Sequence, residues 1–260
     1  MRSPPSTPPL PNRFAARAFG WYLDRLAGRH FTTVRWRTTE DPARWPEEAL
    51  LFVANHTNWW DGFVAHQVTR ALGLAFQILM DAKGVAAYPL FRRVGAVPVR
   101  RTSPFQAVAD LQAIAGNLRP GVAVWIFPQG ERRPAIEPLE NTERGAAQLA
   151  ITAGKPVRLV PVGFRYPFLS EQLPEAFVLL GQSWVVPGGG GTRADRRRDL
   201  ALEIETRLSR TLADLDETLL REDTAGFDVL IRGRLSINKR LDRVRHSVGA
   251  LEGPFEERNG

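Results

Sequence analysis

The residues of this chain best suited to chemistry are His56 and Asp61, in the segment Phe52-Val53-Ala54-Asn55-His56-Thr57-Asn58-Trp59-Trp60-Asp61. An apolar run of strand length leads into the histidine, and the carboxylate follows five positions later, across the first turn of an expected helix. An imidazole at a strand terminus held by a carboxylate has the arrangement a general base needs. The carboxylate would set the tautomer and stabilise the imidazolium once it forms. The spacing alone carries little, because a lone histidine is as readily a helix cap or a half-buried structural residue.

Two further segments end where a strand gives way to polar groups. Tyr88 to Arg101 reads as a short helix, a turn at Gly95 and a strand closing on Arg100 and Arg101. An arginine pair there either clamps an anionic substrate or caps the strand in solvent. Val124 to Arg133 is an apolar strand that breaks at Pro128-Gln129-Gly130, followed by Glu131, Arg132 and Arg133. Gly130 permits close backbone approach to a ligand and the arginines can meet a phosphate, although turn chemistry alone also explains Pro and Gly. Val160-Pro161-Val162-Gly163 adds a strand whose proline suggests a bend.

These segments need a frame, and the composition allows one. The chain has 260 residues, is 43% hydrophobic and carries a net charge of +7, with only Lys83, Lys155 and Lys239 as lysines among 35 basic residues. That is enough for one large α/β domain. The arginines offer bidentate phosphate donors, or form a solvated basic surface. With no cysteine, thiolate nucleophiles and cysteine metal sites are excluded. His30, His66 and His246 form no cluster with ligand spacing, so no metal is expected. No run approaches the ~20 apolar residues of a membrane span.

From Phe31 to Gly191 strands and helices alternate. Strands are expected at 31–37, 49–55, 75–81, 96–100, 122–127, 157–164 and 176–186, and helices at 61–72, 88–94, 104–118 and 142–153. The fold class is therefore α/β, a mixed, largely parallel central sheet flanked by helices, with ligands gathering at the carboxyl ends of the strands. Residues 1–12 are Pro/Ser-rich and read as a disordered tail. A basic, aromatic amphipathic helix at 13–29 either lies in a membrane interface or packs on the core. The α/β domain, this helix included, spans 13–191, and Pro187 to Thr192 is a glycine linker. Residues 192–250 read as a helical appendage, a hairpin of helices at 193–222 and roughly 227–248, followed by a tail at 251–260.

In this order the blocks resemble the glycerophospholipid acyltransferase family, also called lysophospholipid or PlsC-like acyltransferases. The resemblance rests on Asn-His-x4-Asp at Asn55 to Asp61, the Lys83 strand end, Tyr88 to Arg101, Phe-Pro-x-Gly-x-Arg at Phe127 to Arg132, Arg144-Gly145-Ala146, and Val160-Pro161-Val162. It implies acyl transfer from acyl-CoA or acyl carrier protein, as co-substrate, to a hydroxyl of a lysophospholipid or related lipid, with no acyl-enzyme and no cofactor. By the resemblance His56 is the general base and Asp61 its partner, while Asn55, Arg100, Arg101, Gln129, Gly130 and Arg132 contact substrate. Residues 1–11 lack the apolar core of a signal peptide, so a cytoplasmic protein is expected, and the lipid substrate class with the amphipathic ends implies peripheral association with the inner face of the membrane.

Two departures stand out. The family usually reads Phe-Pro-Glu-Gly-Thr-Arg, whereas this chain has Gln129 for the acid and Glu131 for the threonine. An anionic head group beside Glu131 meets like-charge repulsion, which leaves a glycolipid or glycosylated carotenoid open as acceptor. Trp59 and Trp60 can stack on a sugar or isoprenoid, or pack in the core. The altered third block also leaves open a non-catalytic membrane-binding homologue. The arginine-bearing helix expected at 227–248 could contact nucleic acid, but no recognised motif accompanies it and no nucleic-acid partner is expected.

Overall fold

Leu50–Ala54 (β2) and Val122–Ile126 (β5) are buried at every position, the signature of central strands covered on both faces. The computed structural model describes residues 6–45, 47–140, 142–169, 171–188 and 193–234. Around β2 and β5 lie Ala75–Asp81 (β3), Ala96–Val99 (β4), Val157–Arg165 (β6), Ala176–Leu180 (β7), Thr33–Thr38 (β1) and Asp228–Arg232 (β9). They form one sheet in the order β4-β3-β5-β2-β6-β7-β1-β9, with Trp184–Val186 (β8) paired to β6. The run from β4 to β6 is parallel throughout. Beyond it, β7 runs antiparallel to β6, and β9 antiparallel to β1. The carboxyl ends of β2 to β6 therefore share one edge.

Side chains alternate across a strand, so β2 serves two cores. Leu50, Phe52 and Ala54 face Arg13–His30 (α1) and Asp61–Ala71 (α2), which contribute Ala27, Val64, Ala65 and Val68. Leu51 and Val53 face Pro104–Ala115 (α5), Gly145–Thr152 (α6) and Arg193–Leu220 (α7). The result is three layers, helices on both faces of a mixed, largely parallel sheet, as expected.

Several boundaries differ. Residues 7–12 are held against the body: Asn117 Nδ2 donates to Pro8 O at 2.8 Å, Gln77 Nε2 to Pro9 O at 3.1 Å, and Asn12 caps α1 through Oδ1. The stretch read as one strand over 176–186 is two, because the chain leaves β7 at Gly181 and returns to the beginning of β6 as β8. At Gly181 a Cβ would lie 2.2 Å from Thr211 Oγ1 of α7, so glycine is what lets that helix approach. Helix α7 is no appendage: Leu200, Ile204, Leu208 and Leu212 are buried in the core. The helix expected from 227 begins instead as a strand, with Ile231 buried and β9 paired to β1. Apolar residues at 229–231 match a helix face or a sheet edge equally well, and the open side of β1 decides. The rest of that expected helix, and the tail at 251–260, lie outside the described residues. Two short helices, Ala82–Ala87 (α3) and Leu90–Arg93 (α4), connect β3 to β4.

Candidate active site

β2 ends at Ala54, and the chain turns through Asn55 to Asn58 before α2 begins at Asp61. Asn58 sets the turn, accepting from Trp60 N through Oδ1 at 3.2 Å and from Asp61 N through its carbonyl at 3.2 Å. This aims Asp61, fully buried, back at the strand end. Its Oδ2 accepts Thr57 N at 2.7 Å and Asn58 N at 2.9 Å, and lies 2.8 Å from His56 Nδ1. Its Oδ1 accepts the Tyr166 hydroxyl at 2.7 Å. A buried carboxylate needs such partners. Burial and the Asp61 charge push the Tyr166 phenol well above its ordinary pKa, so it stays a donor.

An ionised carboxylate only accepts, so His56 Nδ1 carries the proton and Nε2 presents a lone pair. Nε2 has no hydrogen-bond partner among the described residues, and the side chain is 22% exposed. The ring stacks on Phe127, centroids 4.3 Å apart and planes 12° from parallel. The backbone of His56 is clamped by the third segment: its N–H donates to Gln129 Oε1 at 2.5 Å, and its carbonyl accepts Arg133 N at 2.9 Å. The arrangement holds an imidazole rigid with one basic nitrogen turned outward, which equips it to take a proton from an approaching hydroxyl.

The expected substrate contacts fare differently. Asn55 is 2% exposed and bonds Phe164 through both halves of its amide, donating to the carbonyl at 3.2 Å and accepting from N–H at 2.7 Å. It ties β2 to β6, and its burial keeps the rest of the amide from a ligand at the edge. Arg100 lies bidentate on Asp110 of α5 and staples β4 to that helix. Gln129 is 6% exposed, and its oxygen positions His56. Arg101 stands at the edge but donates to Gly130 O and pairs with Glu143. Arg132 is exposed and has no ion-pair partner among the described residues. Of the two tryptophans, Trp60 packs on Phe31 in the core, while Trp59 is half exposed.

Sequence reasoning missed Tyr166, Phe127 and Glu143. Tyr166 follows β6, which is parallel to β2, so a register argument would have placed it at the same edge. Glu143 left no local signal. Among the described residues no group of three His, Cys, Asp or Glu could hold a metal ion.

Residues 35–165, half of the chain, match the family model described as Acyltransferase. The chain belongs to the acyltransferase family. Among solved structures this acyltransferase is similar to the 1-acyl-sn-glycerophosphate (LPA) acyltransferase PlsC from Thermotoga maritima, at 18% identity over 76% of each chain, with a TM-score of 0.42. No curated protein matches. The matched region of the acyltransferase runs from β1 to the end of β6 and contains His56, Asp61 and the third segment.

Proposed function

We propose that this acyltransferase moves a fatty acyl group from a thioester donor, acyl-CoA or acyl carrier protein, to a hydroxyl of a lysophospholipid or related lipid. His56 Nε2 takes the acceptor's hydroxyl proton as its oxygen attacks the thioester carbonyl. Asp61 stabilises the imidazolium. The tetrahedral intermediate then collapses, the carbon–sulfur bond breaks, and the departing sulfur takes the proton back from His56. No cofactor is required. The observation that carries this reading is the pairing of a fully buried, four-partnered Asp61 with a His56 whose other nitrogen is unpartnered among the described residues.

A lipid acceptor implies a membrane surface. Among the described residues no helix is long and apolar enough to cross one. What supports peripheral contact is a set of exposed apolar side chains: Phe14, Trp21 and Tyr22 of α1, with Trp59, Tyr88 and Leu90. Phe19, Phe63 and Phe91 join Tyr22, Trp59 and Tyr88 through ring contacts. Such rings suit the headgroup boundary, and Arg13, Arg17 and Arg25 on the same helix suit anionic lipid.

The test is acceptor-dependent thiol release from acyl-CoA and acyl carrier protein, with product mass, in wild type and His56→Ala. General-base catalysis predicts a loss of about 10² to 10⁴ in rate. Release that survives in the variant would end the assignment of His56.

A further inference from the structure

Four arginines, Arg100, Arg101, Arg132 and Arg133, belong to the two segments expected to meet an anionic head group, and three already have a carboxylate partner. Arg100 lies on Asp110, Arg133 is 3.6 Å from Glu131, and Arg101 Nη2 pairs with Glu143 Oε1 while Nη1 donates to Gly130 O. The Arg101 pair is built into the third segment. Glu143 N donates to Pro128 O at 2.6 Å, which pins its backbone there. Gly130 makes the room: its φ is +71°, and a Cβ would fall 2.3 Å from Glu143 Oε1 and 2.6 Å from Arg101 Nη2. Since Gly130 follows Gln129, whose oxygen holds His56 N, the pair sits beside the proposed base.

We propose that Glu143 is a specificity-determining residue: by neutralising Arg101 it sets the acceptor subsite for a lipid with an uncharged, hydroxyl-bearing head, a monoacylglycerol or glycosylated lipid, against a phosphomonoester. This deepens the acyl-transfer reading and rests on it. A phosphomonoester on Arg101 must displace Glu143, which gives up an ion pair, or sit beside its carboxylate, which is like-charge repulsion. A neutral polyol head meets no such conflict, because its hydroxyls can accept from the guanidinium and donate to the carboxylate.

The experiment measures kcat/KM for thiol release with monoacylglycerol, a glycosylated lipid and lysophosphatidate, in wild type, Glu143→Gln, Glu143→Ala, Arg132→Ala and His56→Ala. Wild type is expected to favour the neutral acceptors. Glu143→Gln, which keeps the side-chain size, is expected to shift the lysophosphatidate-to-neutral ratio about tenfold towards the anion, mainly through KM, as relief of a like-charge contact does. Glu143→Ala should shift it the same way, which protects the test against one misfolded variant. A wild-type preference for lysophosphatidate that His56→Ala abolishes, or a preference that depends on Arg132, overturns the proposal and leaves the acyl transfer standing. An unchanged ratio in both Glu143 variants also overturns it. Absence of His56-dependent release with every acceptor overturns the acyl-transfer reading itself.

Discussion

Asp61 has a histidine five residues to either side, and the two live in opposite environments. His56 rests its Nδ1 on the carboxylate and turns Nε2 outward. His66 lies on α2, 4% exposed, edge-on to Phe19 of α1 and Phe76 of β3, and its Nδ1 is unpartnered among the described residues. Burial drives the His66 pKa down to about 4, offset in part by Gln67 and Asp24 and reinforced by Arg70. One histidine rests on a carboxylate with its second nitrogen turned outward, and the other is kept neutral by burial. A titratable ring is equipped for proton transfer only where the fold supplies a counter-charge and leaves one nitrogen accessible.

The sharpest way to break this contrast is Asp61→Asn. An amide that presents its NH₂ to Nδ1 favours the wrong tautomer, and kcat should fall by about 10⁴. His66→Phe should leave kcat within about threefold, since the ring reaches no reacting atom. A comparable loss of kcat in both variants would erase the distinction. Asn55→Ala should cost roughly 2 to 4 kcal/mol in urea unfolding by leaving the Phe164 N–H and C=O unpaired. Were Asn55 a substrate ligand instead, stability would hold and KM would rise.

His66 itself gives a pH signature. Its folded pKa lies below the unfolded value, so between about pH 6.5 and 4 the unfolded chain binds the extra proton, and stability is lost as pH falls through that window. A drop from 6.5 to about 4 corresponds to roughly 3 kcal/mol. Melting temperature against pH should flatten there in His66→Phe, and an unaltered slope would assign the acid sensitivity elsewhere. The smallest loss of stability expected is for Tyr166→Phe, which removes a hydrogen bond to a buried carboxylate and should cost about 1.5 to 3 kcal/mol in thermal unfolding.

The same contrast shows what could be read in advance. The apolar runs at β2, β5 and β6 and the helices at 61–71 and 104–115 were legible because burial imposes a period within each segment. The His56–Asp61 pair was legible because its geometry closes within one turn. Arg100 and Arg101 looked alike as neighbours, yet one is tied to Asp110 and the other to Glu143, 42 positions on. Asn55, read as a substrate contact, is held by Phe164, 109 positions away. Residues 228–232 fitted helix spacing until the free edge of β1 claimed them.

From the sequence alone came the α/β class, the strand ends that carry polar groups, and the His56–Asp61 pair. These rest on near neighbours, whose separation the chain itself sets. Tertiary structure decided that Tyr166 completes the carboxylate's partners, that Gln129 holds the His56 backbone in place, and that Glu143 occupies Arg101. Each depends on the register of β2 against β5 and β6 or on a left-handed turn at Gly130, and such contacts arise only when the sheet assembles.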